Sequence, residues 1–172
     1  MLFTDRSIWT MIHGIVLSGA ALMALAAAVF SMRTMRTVAT PEQSRIRAQL
    51  LVFIAATLWL TVLVGTYIVF PLYRAPPPEG ATDLNQFPRS FLLANPATAW
   101  LHAFAMEIKE HVPWIASMLA TAVAFVGVRY RSLLLNDAPL RNMAMTLLVI
   151  CFVLISVVGL LGIFINKVAP LQ

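Results

Sequence analysis

Four long apolar stretches dominate this sequence and leave few folds open to it. They cover residues 7–32, 50–73, 97–130 and 143–165 approximately. A helix needs about 20 residues to cross the hydrocarbon core of a membrane, and each stretch is at least that long. Because lipid offers no water to satisfy free backbone groups, uniformly apolar stretches of this length form helices rather than barrel strands. The sequence therefore predicts an all-α integral membrane protein, a four-helix transmembrane bundle.

The overall composition agrees with a membrane protein built as one domain, residues 1–172. Hydrophobic residues make up 60% of the chain and charged residues only 11%, which lies far outside the range of soluble globular proteins. The first stretch is longer than the apolar core of a signal peptide, about 7 to 15 residues, so we expect it to remain as a helix. Little sequence is left over for a soluble domain.

The distribution of basic residues predicts the orientation of the bundle. The first and third connections carry seven arginines, whereas the N-terminus, the second connection and the C-terminus share four basic residues. Since cytoplasmic loops are enriched in Lys and Arg, both termini are expected on the outer side. The net charge of +5 is explained by these arginines, so no nucleic-acid partner is expected. Ten arginines against two lysines, with short loops, are typical of a bacterial inner membrane protein.

The outer Pro-rich loop, residues 74–96, is the one long connection. Its prolines disfavour regular structure at either end, while the sequence FPRSFLLAN predicts a short amphipathic turn at the membrane surface. A loop of this length either covers a site or is a disordered connection, and the sequence does not choose between them.

The third stretch begins with an unusual polar segment, WLHAFAMEIKEHVPW, residues 100–114. At 100° per residue, Glu107 and His111 share one helix face, and His102 lies on the opposite face. The face of His111 also carries Trp100, Trp114, Met118 and Phe125. Because we expect large apolar residues inside the bundle, this pattern favours His111 over His102 as the histidine that points inward.

Polar or small residues recur near the outer end of every helix, and they predict one site there. His13 and Gly14 lie in the first helix, Gly65 in the second, and Gly159 and Gly162 in the fourth. Two imidazoles on different helices are what a b-type haem requires, and aromatic side chains such as Trp114 pack its porphyrin. We therefore expect one haem b near the outer leaflet, its iron held by His13 and His111, with Gly14 and Gly65 leaving room for the ring.

A haem at this depth is well placed to pass electrons between quinol and a partner protein. Glu107, Glu110 and Tyr67 are then candidates for accepting or relaying quinol protons. A membrane or periplasmic protein partner is expected as well, because a protein with one haem must receive and deliver electrons. The layout is similar in outline to membrane-bound b-type cytochromes, although no family motif is matched.

Two other interpretations stay open at the level of sequence. In the second interpretation, the chain is a cofactor-free accessory or assembly subunit of a larger membrane complex, and its polar residues are contacts between helices. A transition metal bound by His13, Glu107 and His111 is the third possibility, although the ligand set is incomplete. The apolar centres of all four helices argue against a transporter, and no hydrolase or phosphate-binding motif is present.

Overall fold

The computed structural model describes residues 4–34 and 40–169, and within these ranges the chain is helical with no strand. Four helices are long and apolar enough to cross a membrane: α1 (Asp5–Arg33), α2 (Pro41–Arg74), α4 (Pro96–Arg129) and α6 (Ala138–Val168). Two short helices, α3 (Pro88–Ala94) and α5 (Arg131–Asn136), lie between them. For the described residues the predicted all-α fold is confirmed, with four helices of sufficient length and hydropathy to cross a membrane, and these helices indicate a membrane protein.

Local capping explains why two helices begin earlier than their apolar runs. The second run predicts a start near residue 50, but α2 begins at Pro41 behind a capping box formed by Thr40 and Gln43. The fourth run predicts a start near residue 143, but α6 begins at Ala138, where the Asp137 side chain accepts a hydrogen bond from the Leu140 backbone. The additional turns are polar, so hydropathy alone does not reveal them.

Small side chains bring the four helices together. Alanine is the commonest residue of the main core, with leucine, isoleucine and the buried Cys151, and α4 packs extensively on both α2 and α6. Gly127 of α4 lies directly against the Leu51 side chain of α2. In lipid, small residues at helix contacts allow close backbone approach, while larger apolar residues remain free to face the acyl chains.

The two ends of the bundle differ in character. We call the "loop end" the end that carries the start of α1, the end of α6 and residues 75–95. A second apolar cluster sits there, in which Tyr73, Leu92 and Leu101 are buried together. The "basic end" is the opposite one, where α1 meets α2 and α4 meets α6.

The long loop folds over the loop end instead of extending away from it. The predicted short turn is the helix α3, whose Leu92 is fully buried against the bundle. Arg6 at the start of α1 donates a hydrogen bond to the backbone carbonyl of Gln86, which fixes the loop to the first helix. The loop is therefore packed on the bundle, and its role as a cover for a site stays a prediction.

Three of the four long helices contain a π-helical segment in the half nearer the loop end. These segments are Ile12–Leu17 in α1, Gly65–Val69 in α2 and Leu101–Met106 in α4. π-Helical turns are rare and occur frequently at functional sites. Because three helices carry such segments in the same half of the bundle, the side chains between them are candidates for a functional site.

Candidate functional site

His13 lies within the π-helical segment of α1, and its imidazole packs against α2. A Cβ atom built at Gly65 would lie 2.7 Å from His13 Cε1 and 3.3 Å from each ring nitrogen. The backbone carbonyl of Thr61, one turn before Gly65, lies within hydrogen-bonding reach of the same ring. Within residues 4–34 and 40–169, the buried Nδ1 atom has no hydrogen-bond partner. Buried polar atoms are rarely left in this state, so His13 is a candidate for contact with a ligand.

Lys109 extends from α4 towards α6 and reaches Gly162. A Cβ atom built at Gly162 would lie 2.7 Å from the Lys109 Nζ atom. The ammonium is also close enough to His13 for an electrostatic interaction between the two side chains. Among the hydrogen bonds and ion pairs of the described residues, Lys109 takes part in none. A cation inside a membrane bundle is costly, and such residues usually mark a functional site.

His13 and Lys109, the "polar pair", lie close to one boundary of the hydrocarbon core. Lys109 precedes the last residue of α4, Arg129, by 20 positions. At about 1.5 Å per residue this corresponds to roughly 30 Å, the thickness of the hydrocarbon core. The polar pair therefore sits at the level where a lipid-soluble molecule would place a polar head.

The glycines play a different part from the one predicted. Gly65 and Gly162 make room for the imidazole of His13 and for the ammonium of Lys109. Gly14, by contrast, is exposed, and a Cβ built there would meet nothing within 4 Å. The prediction that glycines leave space for a flat ring system is therefore replaced by a simpler one, in which two glycines each seat a polar side chain.

The structure turns His111 to the outside of the bundle, opposite to the predicted orientation. Its side chain is 71% exposed, and its Nδ1 atom hydrogen-bonds the backbone carbonyl of Glu107 on the same helix at 2.8 Å. Met118 and Phe125 on the same face are also exposed. Small residues, including Ala116, Ala120 and Gly127, line the inward face instead. His13 and His111 are therefore not brought together as a ligand pair.

The remaining predicted site residues are spread over the bundle. Trp114 packs edge-on against Trp59 of α2, with ring centroids 5.6 Å apart. Tyr67 is 70% exposed, and Glu107 is also exposed beside His111. Glu110 is half-buried on the same helix as Lys109. Of the residues predicted from sequence, the structure brings His13 against Gly65, and it seats Lys109, which was not predicted, against the predicted Gly162.

A second polar group at the loop end was not predicted. Arg89 Nε in α3 donates to His102 Nε2 at 3.4 Å, which leaves the ring proton on Nδ1. His102 Nδ1 then donates to the hydroxyl oxygen of the buried Tyr73 at 2.9 Å. These three residues, the "cap network", join α3, α4 and α2. The hydrogen bonds of His102 with Arg89 and Tyr73 thus help to hold the loop on the bundle.

The ligand set proposed for a transition metal is not assembled. Within the described ranges no group of three or more His, Cys, Asp or Glu side chains lies close enough to hold a metal ion. Glu107 and His111 are neighbours on the exposed face, whereas His13 is packed against Gly65.

Comparison with known proteins adds no relative to these observations. No family model, no curated protein and no solved structure matches the chain.

Proposed function

We propose that this chain is a quinone-binding subunit of a membrane electron-transfer system, in which the polar pair holds the oxygen-bearing head of the quinone. The observation that carries the proposal is the buried His13 Nδ1, which has no partner among the described residues, at the same end of the bundle as the Lys109 ammonium. Both groups face the interior of the bundle near a hydrocarbon boundary. A quinone reaches such a position from the bilayer without crossing water, because its tail is lipid-soluble.

The chemistry of the polar pair suits both redox forms of this ligand. A neutral imidazole carries one donor and one acceptor nitrogen, so His13 can donate to a quinone carbonyl or accept from a quinol hydroxyl. The Lys109 ammonium is a donor in either case and favours an anionic oxygen through its charge. Oxidation of a quinol releases two electrons and two protons. The His13 imidazole would accept a hydrogen bond from the quinol hydroxyl, both protons would leave to water at the loop end, and a partner protein would receive both electrons.

The orientation of the chain sets where these protons and electrons go. Seven arginines in the first and third connections support an orientation with the basic end in the cytoplasm and with both termini and the loop end outside. In a bacterial inner membrane the polar pair would then lie on the periplasmic side. Proton release to that side during quinol oxidation contributes to the transmembrane potential, and an external protein is the natural electron acceptor.

The proposal does not require a haem. A haem b held by His13 and His111 stays a prediction, and it would need α4 to turn its exposed face inward. A reduced-minus-oxidised visible spectrum of the purified chain tests it directly. A b-type α band that disappears in both His13→Ala and His111→Ala would establish this ligand pair.

Titration with a short-chain quinone analogue tests the proposed site. The full chain is purified in mild detergent, and binding is followed by the intrinsic fluorescence of its tryptophans. We expect His13→Leu and Lys109→Met each to weaken binding about tenfold or more, because each removes a buried polar contact. His111→Leu and Lys167→Met are matched controls outside the polar pair, and they should bind like the parent chain.

Two results would overturn the proposal. Saturable binding that is equally strong in the parent chain, His13→Leu and Lys109→Met would place the quinone elsewhere. Absence of binding by the folded parent chain would leave the cofactor-free accessory subunit as the better account, with the polar pair acting as a contact between helices.

A further inference from the structure

The basic end of the bundle carries a large excess of positive charge that no ion pair within the described residues neutralises. Two carboxylates lie there, Glu42 and Asp137, and Asp137 caps α6. The arginines at this end that the structure describes are Arg33, Arg45, Arg47, Arg129, Arg131 and Arg141. Phosphate groups of lipids are the anions nearest to such a surface in a membrane.

One of these arginines has an unsatisfied nitrogen. Arg47 Nε donates to Ser31 Oγ at 3.0 Å, which ties α2 to α1. Its Nη1 atom is buried and has no hydrogen-bond partner in the part of the chain that the structure describes. A cavity of about 20 Å³ is lined by Arg47, Ser44 and Arg131 among others. This volume suffices for about one oxygen atom or water molecule.

A groove on the surface of the bundle adjoins this cavity. It has a volume of about 350 Å³ and is lined by Ala48, Gln49, Val52, Phe53, Val128 and Arg131. Ala48 and Arg131 line both the cavity and the groove, so the two are neighbours. Val52, Phe53 and Val128 are exposed apolar side chains on the lipid-facing side. The groove thus leads from apolar residues of α2 and α4 to the Arg131 guanidinium.

We propose that the groove and cavity form a specific binding site for an anionic phospholipid. One acyl chain lies along Val52, Phe53 and Val128, and the phosphate lies at Arg131, with one of its oxygens directed to Arg47. The apolar groove explains why the ligand carries a chain, and the excess of arginines explains why its net charge is negative. This site is at the opposite end of the bundle from the polar pair and does not depend on the proposed function.

Thermal unfolding of the full chain in detergent tests the site. Phosphatidylglycerol, phosphatidylcholine or inorganic phosphate is added at equal phosphate concentration. A ligand that binds the folded state raises the melting temperature, and the rise grows with the logarithm of its affinity at a fixed concentration. We expect a clear rise of several degrees with phosphatidylglycerol and a much smaller rise with phosphatidylcholine or inorganic phosphate. An equal rise with phosphatidylcholine would overturn the charge requirement, and an equal rise with inorganic phosphate would show a simple anion site.

Variants locate the effect within the bundle. Arg131→Gln removes an exposed guanidinium, and Val52→Trp fills the groove, so either should abolish most of the rise caused by phosphatidylglycerol. Both side chains are exposed, which keeps the folded chain available for measurement. Arg45→Gln is the matched control, because Arg45 is exposed at the same end and lines neither space. If Arg45→Gln reduces the rise as strongly as Arg131→Gln, the lipid recognises the general charge and the proposed site is wrong.

Discussion

Gly162 of α6 lies directly beneath the Lys109 ammonium of α4, and a Cβ atom at Gly162 would come within 2.7 Å of Nζ. The contact involves the far end of a flexible side chain, which can move at little cost. Gly159, one turn earlier on α6, has open space in the same position, with nothing within 4 Å of a built Cβ. Substitution of each glycine in turn therefore distinguishes loss of the space for Lys109 from the general effect of replacing a glycine in a helix.

Gly162→Ala should displace the ammonium without unfolding the chain. We expect affinity for a quinone analogue to fall about as far as in Lys109→Met, while the melting temperature stays within a few degrees of the parent. Gly159→Ala should keep the affinity and gain up to about 1 kcal/mol of helix stability. If the two variants bind the analogue equally well, Lys109 is not held by Gly162 for binding.

A hydrogen bond between α2 and α4 should contribute measurably to stability. Trp59 Nε1 donates to Thr121 Oγ1 at 3.0 Å. Thr121→Val and Trp59→Phe, each measured alone and together by unfolding of the full chain, form a double-mutant cycle. We expect a coupling free energy of about 0.6 kcal/mol, the average for such bonds between membrane helices. Additive effects of the two substitutions would show that the bond does not form in the membrane.

The cap network should determine how firmly the loop is held. Tyr73→Phe removes the hydroxyl that His102 contacts, and we expect faster amide hydrogen exchange in residues 75–95 with little change in the helices. Tyr67→Phe is the control, because Tyr67 is exposed and belongs to no such network. Identical exchange in both variants would mean that the cap network does not hold the loop, and that the packing of Leu92 and the Arg6 hydrogen bond do.

The number and nature of the long helices could be predicted from the sequence, because length and hydropathy decide whether a segment crosses a membrane. The inward face of α4 could not be predicted by the same reasoning. Aromatic and other large residues were expected inside, as in a soluble bundle, but lipid accepts Met118 and Phe125 readily. Because lipid supplies no hydrophobic drive between helices, small residues mark the contacts.

The same preference for small residues at helix contacts applies to the face of α4 that carries Lys109. Lys109 shares its face with Ala116 and Ala120, and the run of small residues towards Gly127 is the signal that identifies it as inward. His13 could be predicted from the sequence because it is a histidine near the outer end of an apolar helix. The contact between His13 and Gly65 depends on how α1 and α2 are rotated about their axes relative to each other. The apolar pattern of neither helix determines that rotation. The cap network depends on the course of the loop and had no sequence signal.

Photolabelling with an azido-quinone identifies the residues that line the proposed quinone site. The full chain in detergent or lipid nanodiscs is irradiated with the probe, digested and analysed by mass spectrometry for the labelled peptide. We predict labelling in the segments around His13, Gly65 and Lys109, suppressed by excess unlabelled quinone and greatly reduced in Lys109→Met. Labelling confined to the exposed face of Met118 and Phe125, unchanged in Lys109→Met, would contradict the account.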